Sequence, residues 1–268
     1  MFSYRQFMQG RGSGCFPHGY IMNELQRILS FVRRAIDDYG MIEEGDRIAV
    51  GISGGKDSLT LLAALAALRR FYPKRFDLIG ISIDMGFEGA DFSAVEAFCA
   101  DLAVPFHRIP TEIAHIIFDV RRESNPCSLC ARMRRGSLHT ATVELGCNKV
   151  ALGHHFDDAV ETFMLNLFYE GRLGCFSPVT YLSRRGITMI RPLLYAQEKD
   201  IEHFVRHADP AIPVMKSLCP ADESTEREEM KQLLRRLERE HKGLRHRIFG
   251  AMCRGELDGF KPTERLPL

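Results

Sequence analysis

Residues 47–71 read RIAVGISGGKDSLTLLAALAALRRF, and no other stretch limits the fold so tightly. The short apolar run "RIAVGI" predicts a buried strand. Two glycines then free the backbone, and "SLTLLAALAALRRF" predicts a helix that is apolar on nearly every side. A strand that feeds a helix through a glycine turn belongs to a parallel sheet, because the helix is the crossover to the next strand. Such a turn also aims unbonded backbone N–H groups, backed by the positive end of the helix, at any anion that lies there.

The same alternation runs through the chain. "FDLIGISID", "PFHRI" and "KVALG" read as further strands, and "FSAVEAFCADLA", "RMRRGSLHTATVELG", "AVETFMLNLFYEG" and "EKDIEHFVRHAD" as helices. The expected fold class is α/β, a parallel sheet with helices on both faces and its ligand site at the carboxyl ends of the strands. "EREEMKQLLRRLEREHKGLRHRIFG" reads as a late amphipathic helix that turns basic at Lys242, Arg245 and Arg247. The chain divides into a lead-in and helix over 1–40, a central domain over 41–220 and a helical extension over 221–268.

Charge and cysteines narrow the setting. With 36 basic and 35 acidic residues the formal charge is +1, so a nucleic-acid partner must be held by a local basic patch. Eight cysteines occur in a chain with no apolar leader and no run of membrane-spanning length. That combination predicts a cytoplasmic protein with reduced thiols and no membrane contact.

The glycine loop excludes two familiar nucleotide folds. A kinase or GTPase loop needs G-x-x-x-x-G-K-[ST], but Val50 stands at its first glycine and Asp57 at its Ser/Thr position. The dinucleotide pattern G-x-G-x-x-G fails at Ser53. Gly54 and Gly55 permit close backbone approach, Lys56 adds a point charge, and Ser53 and Ser58 offer hydroxyl donors. Asp57 repels phosphate unless magnesium lies between them.

Three further constellations carry chemistry. "NPCSLCARMRRG" sets Cys127 and Cys130 two residues apart, and "PVMKSLCPADE" adds Cys219. Three thiolates can hold an iron-sulfur cluster by three corners and leave one iron open; structural zinc, a redox pair and inert thiols stand beside that reading. "VALGHHFDD" brings Gly153, His154, Asp157 and Asp158 to the same sheet edge as the glycine loop. Its carboxylates can hold magnesium or position an acceptor carbonyl, or Asp158 and Glu161 can form a helix-capping pair. Arg121, Arg122, Arg132, Arg134 and Arg135 surround the cysteine pair, as phosphate contacts or as a solvated helix face.

"SGGKDS" resembles the PP-loop of the adenine-nucleotide α-hydrolase-like ATP pyrophosphatases, a Rossmann-like fold whose members cleave ATP to AMP and pyrophosphate. With "CSLCARMRRG", "GHHFDD", "IRPL" and a late cysteine in order over roughly residues 45–235, the chain resembles the TtcA family of tRNA 2-thiocytidine synthetases. The resemblance implies thiolation of cytidine 32 of tRNA with ATP, Mg2+ and a [4Fe-4S] cluster. ATP would meet Ser53, Gly54, Gly55, Lys56, Asp57, Ser58, Gly153 and His154. Lys56, Asp57, Asp158 and Arg134 would be catalytic, and Cys127, Cys130 and Cys219 would bind the cluster. Sulfur would come from a cysteine desulfurase or free sulfide, delivered at the open iron, and a homodimer is implied. Where familiar members carry a second late cysteine this chain has Lys216, which leaves another sulfur acceptor, or a nucleotide-binding iron-sulfur sensor, as the alternatives.

Overall fold

The computed structural model describes residues 21–121, 126–219 and 226–262; Cys15 and Arg122 lie outside them. Six strands form one sheet: β1 (Asp46–Gly51), β2 (Phe76–Asp84), β3 (Phe106–Pro110), β4 (Lys149–Ala151), β5 (Val179–Leu182) and β6 (Ile187–Ile190). Their spatial order is β3-β2-β1-β4-β6-β5. Four neighbouring pairs are parallel, and central Val50 of β1 sits between Gly80 of β2 and Ala151 of β4. The order reverses direction between β1 and β4, so the loops leaving those two strands flank a crevice.

The sheet is not wholly parallel. β5 runs antiparallel to β6 as an edge hairpin, which the sequence reading leaves out. Each strand has four residues, too few to show a period beside the polar turn Ser183–Gly186.

Helices cover both faces. α1 (Ile21–Asp38), α2 (Lys56–Leu68), α5 (Phe156–Tyr169), α6 (Glu198–His207), α7 (Glu226–Glu240) and α8 (Leu244–Arg254) contribute to one core, with α3 (Ser93–Asp101) packed at the β3 side. On the other face Leu138 and Ala141 of α4 (Pro126–Glu144) pack with Ile79, Ile81, Val150, Ile187 and Met189. Every residue of α2 from Ser58 to Leu68 is buried, as an all-round apolar helix requires. Its five leucines each gain about 2 kcal/mol from that burial, which holds the glycine loop on a fixed base.

Two helix boundaries differ from expectation. α4 begins at Pro126 and therefore carries Cys127 and Cys130 on its first turn, where the sequence reading starts the helix at Arg132. Proline suits the first helical position because its missing N–H would have no intrahelical partner. The late amphipathic stretch is broken at Gly243, whose φ of +78° ends α7 and turns the chain into α8. Residues His115–Arg121, between β3 and α4, form a π-helical turn. Among the described residues no helix is long and apolar enough to cross a membrane.

Candidate active site

The glycine loop closes upon itself through two serines. Ser53 N–H and Ser53 Oγ each lie 3.2 Å from Ser58 Oγ, and Ser58 Oγ donates to Gly55 O at 2.9 Å. Ser58 is therefore buried and its proton is used inside the loop, while Ser53 stays exposed at the mouth. Gly55 begins α2 without a side-chain cap, so the first N–H groups of the helix still lack side-chain partners.

Two glycines admit neighbouring chain. Gly54 has φ +81°, and a Cβ there would stand 2.6 Å from Met215 Sδ. Met215 N–H donates to Gly54 O at 2.9 Å, so the segment leading to Cys219 is docked on the loop. Gly153 follows β4, and a Cβ on it would meet Ser58 N and the Asp57 carbonyl carbon at 3.1 Å. Glycine there lets the two loops of the crevice touch backbone to backbone.

Charge is organised around Lys56. Its Nζ lies 3.2 Å from Asp57 Oδ1 and 3.2 Å from Glu198 Oε1 on α6. Burial acts to lower the lysine pKa, but the two carboxylates more than offset it and the net shift is upward. Glu198 also accepts from Lys231 of α7 at 2.7 Å. Burial alone would raise this carboxyl, yet its two lysines hold it down at about 2. Sequence reasoning missed Glu198 and Lys231, because a pair joined across 33 residues leaves no local pattern.

The acidic pair on α5 separates by role. Asp157 is buried, accepts from Glu198 N–H at 2.7 Å and pairs with Arg245 of α8, so it ties three helices together. Asp158 accepts from His155 N–H at 3.0 Å, while His155 Nδ1 accepts from Asp158 N–H at 3.4 Å. The capping box is thus His155 with Asp158, one turn earlier than the Asp158–Glu161 pair expected from sequence. The other oxygen of Asp158 meets Arg227 of α7 at 3.2 Å.

Asp57 differs from both. Its Oδ1 is buried and has no hydrogen-bond donor among the described residues; Lys56 Nζ is in ion-pair range and His155 Nε2 lies 3.8 Å away. A buried carboxylate oxygen that makes no hydrogen bond beyond its ion pair with Lys56, beside an anion-binding loop, is a fitting ligand for a hard cation.

Glu161, 4% exposed on α5, gives a test of this packing. Burial and neighbouring Asp158 push its carboxyl up to about 7 from 4.5, against the pull of Lys231, Arg227 and Arg245. Its charged form therefore destabilises the fold above pH 7, and this cost fades as pH falls towards the unfolded value. Glu161→Gln is expected to stabilise the protein by on the order of 3 kcal/mol at pH 8 and by little near pH 4.5. Denaturant midpoints of both proteins at the two pH values check this; an equal gain at both would sink it.

The three thiols approach one another at the mouth. Cys127 and Cys130, with two residues between them, share one helical face, with Arg134 a turn further on. Burial pushes the Cys130 thiol up, the charge of Arg134 opposes this, and Cys219 and Cys127 add to the rise. Among the described residues no three His, Cys, Asp or Glu side chains converge closely enough to hold one metal ion. The charges of Cys127 and Cys219 thus act on Cys130 although the three sulfurs do not meet at a point. Arg121, Arg132, Arg134 and Arg135 are exposed.

His154 lies against Arg191 of the "IRPL" motif. Arg191 Nε donates to His154 Nδ1 at 3.3 Å, and the imidazole stacks on Phe176 with centroids 5.0 Å apart. "IRPL" is visible in the sequence, but nothing there says that its arginine turns back onto the histidine.

Comparison with known proteins follows the same lines. The model of the PP-loop domain family matches residues 24–212. The tRNA-cytidine(32) 2-sulfurtransferase of Geobacter metallireducens is 42% identical over 231 residues, covering 85% of this chain and 89% of that protein. Its namesake from Pelobacter propionicus is 43% identical over 230 residues, covering 85% of each chain. Among solved structures, the U34-tRNA thiolase NcsA from Methanococcus maripaludis with its [4Fe-4S] cluster aligns with a TM-score of 0.73 at 24% identity, covering 87% of this chain and 79% of that one. At that identity the likeness speaks for the fold.

Proposed function

The chain belongs to the tRNA-cytidine(32) 2-sulfurtransferase family of PP-loop proteins, and on that footing we propose how its residues divide the work of ATP-dependent tRNA thiolation. The C2 carbonyl oxygen of cytidine 32 attacks the α-phosphorus of ATP, forming a C–O–P link and releasing pyrophosphate. A sulfur nucleophile then bonds to C2 and the C–O bond breaks, with AMP as the leaving group. Without adenylation the carbonyl oxygen would be too poor a leaving group.

The loop of Gly54 and Gly55, with Ser53 and the uncapped first N–H groups of α2, takes the phosphates, and Lys56 takes the departing pyrophosphate. Lys56 keeps its proton because Glu198 and Asp57 hold it in the charged form. Ser58 acts by shaping the loop, and Gly153 by allowing the second loop to touch it. Asp57 is the residue that would hold Mg2+, which when bound screens carboxylate from phosphate and polarises the phosphoryl group. Cys127, Cys130 and Cys219 would hold the [4Fe-4S] cluster, which when bound offers an open iron for sulfide.

Arg134, whose charge acts on the Cys130 thiol, stands where it can meet the target nucleotide or the incoming sulfur. Asp158 caps α5 and helps set the crevice between the two loops. Exposed Arg121, Arg132 and Arg135 contact tRNA phosphates, and the base leaves its stack in a single-stranded loop at low cost. The sulfur comes from a cysteine desulfurase or free sulfide, in the cytoplasm.

The docking of Met215 on Gly54 carries this reading, because it attaches the Cys219 segment to the ATP loop. Nucleoside analysis of tRNA from cells with and without the gene tests it. Loss of 2-thiocytidine at position 32 is expected, and thiocytidine unchanged without the gene would overturn it.

A further inference from the structure

Arg191 is 6% exposed, yet none of its hydrogen bonds ends on a carboxylate among the described residues. Its Nη1 donates to Ser177 O and Thr180 Oγ1, its Nη2 lies against Met189 Sδ, and its Nε donates to His154 Nδ1. The guanidinium also lies 4.8 Å over the Phe176 ring, on which His154 stacks. Burying a cation among neutral groups costs stability, so the arrangement calls for a function.

Guanidinium nitrogens can only donate. The Nδ1 of His154 must therefore present its lone pair to Arg191, and the ring proton must sit on Nε2. Nε2 has no hydrogen-bond partner among the described residues. His154 follows Gly153, whose backbone touches the first turn of α2, so the residue that carries the free donor leaves β4 at the crevice that the phosphate loop also borders.

We propose that Arg191 is a positioning residue that fixes His154 as a neutral imidazole with its proton on Nε2, a donor to an oxygen of the adenylated nucleotide. The proposal deepens the tRNA-thiolation reading and rests on it. A neutral donor differs from a cationic one: it stabilises developing charge without surrendering a proton, as imidazole does when kept from protonating.

The electrostatics agree with the geometry. Burial and the charge of Arg191 push the His154 pKa down to about 4; Asp158 on α5 pulls the other way, and Arg227 of α7 and His155 lower it further. Arg191 itself stays charged at neutral pH, with burial lowering its pKa only to about 10. His154 is then uncharged across the physiological range.

Nitrogen-15 NMR of the full-length protein, with the His154 signal assigned by its loss in His154→Gln, reads tautomer and titration without any turnover. Wild type is expected to show the Nε2–H form and no titration between pH 5.5 and 8. Arg191→Met is expected to mix the tautomers and raise the titration midpoint, with burial still holding it below the free-imidazole value, and Arg191→Lys, which keeps a donor, to restore the wild-type pattern in part. An Nδ1–H tautomer in wild type, or a wild-type midpoint near 6.5, would overturn the proposal.

Kinetics then test the role. His154→Ala is expected to lower kcat for thiolation by about 10²-fold, while His154→Gln, which retains an N–H donor, stays within about tenfold of wild type. Arg191→Met is expected to move the acid limb of the pH profile upward from its wild-type position. Equal losses in His154→Ala and His154→Gln would reduce the pair to a structural contact. If the purified protein thiolates no tRNA, the thiolation reading fails while the tautomer result still stands or falls separately.

Discussion

Alanine at position 219 is expected to leave a folded protein that binds ATP and no longer thiolates tRNA. Cys219 is only partly buried and packs in neither core, and its backbone N–H is held by Ser217 Oγ at 3.3 Å independently of the thiol. Deleting the sulfur therefore removes chemistry and spares the fold. Two remaining thiols on α4 cannot retain a three-cornered cluster. Loss of supporting groups around a metal costs about 10–100-fold, so loss of a ligand should reduce thiolation by roughly 10²-fold or more. Iron, acid-labile sulfide and thiolation rate are measured together on anaerobically purified protein. A variant with full iron content and full activity would remove Cys219 from the site.

Asparagine at position 57 is expected to be nearly as damaging. The buried Oδ1 of Asp57 makes no hydrogen bond among the described residues beyond its ion pair with Lys56, and an amide in its place gives up the negative charge that a divalent cation needs. The rate of pyrophosphate release should fall by about 10²–10³-fold, with a higher magnesium concentration needed for half-maximal rate. Lys56 also loses one of its two carboxylate partners and keeps Glu198. The magnesium titration of pyrophosphate release separates the two effects: an unchanged midpoint would place the cation on other residues.

What could be read from the sequence was local. The glycine loop and α2 are encoded in consecutive residues, and the two-residue gap between Cys127 and Cys130 fixes their shared helical face. The parallel core followed from apolar runs alternating with amphipathic stretches. The edge hairpin escaped because four-residue strands carry too little pattern, and the split between α7 and α8 because one glycine among charged residues gives only a weak signal. Partners brought together only by the finished fold were beyond reach. Glu198 on Lys56, Arg245 on Asp157 and Arg191 on His154 join residues 142, 88 and 37 positions apart. The Ser58 hydroxyl, expected at the ligand, is turned inward for a related reason: its partner is the loop's own backbone.

The segment bearing Cys219 is fastened to the nucleotide site at both ends. Met215 rests on Gly54 before it, and Arg227 and Lys231 reach Asp158 and Glu198 after it. Sample history therefore enters every nucleotide measurement. In a preparation that has met air, a Cys219 oxidised to a bulkier charged acid is expected to push on the Met215 segment and disturb the phosphate loop, which the smaller alanine does not, and the weakened ATP binding will imitate a loop mutation. Conversely, ATP added before lysis should slow alkylation of the cysteine, making nucleotide a protectant during purification as well as a substrate in the assay.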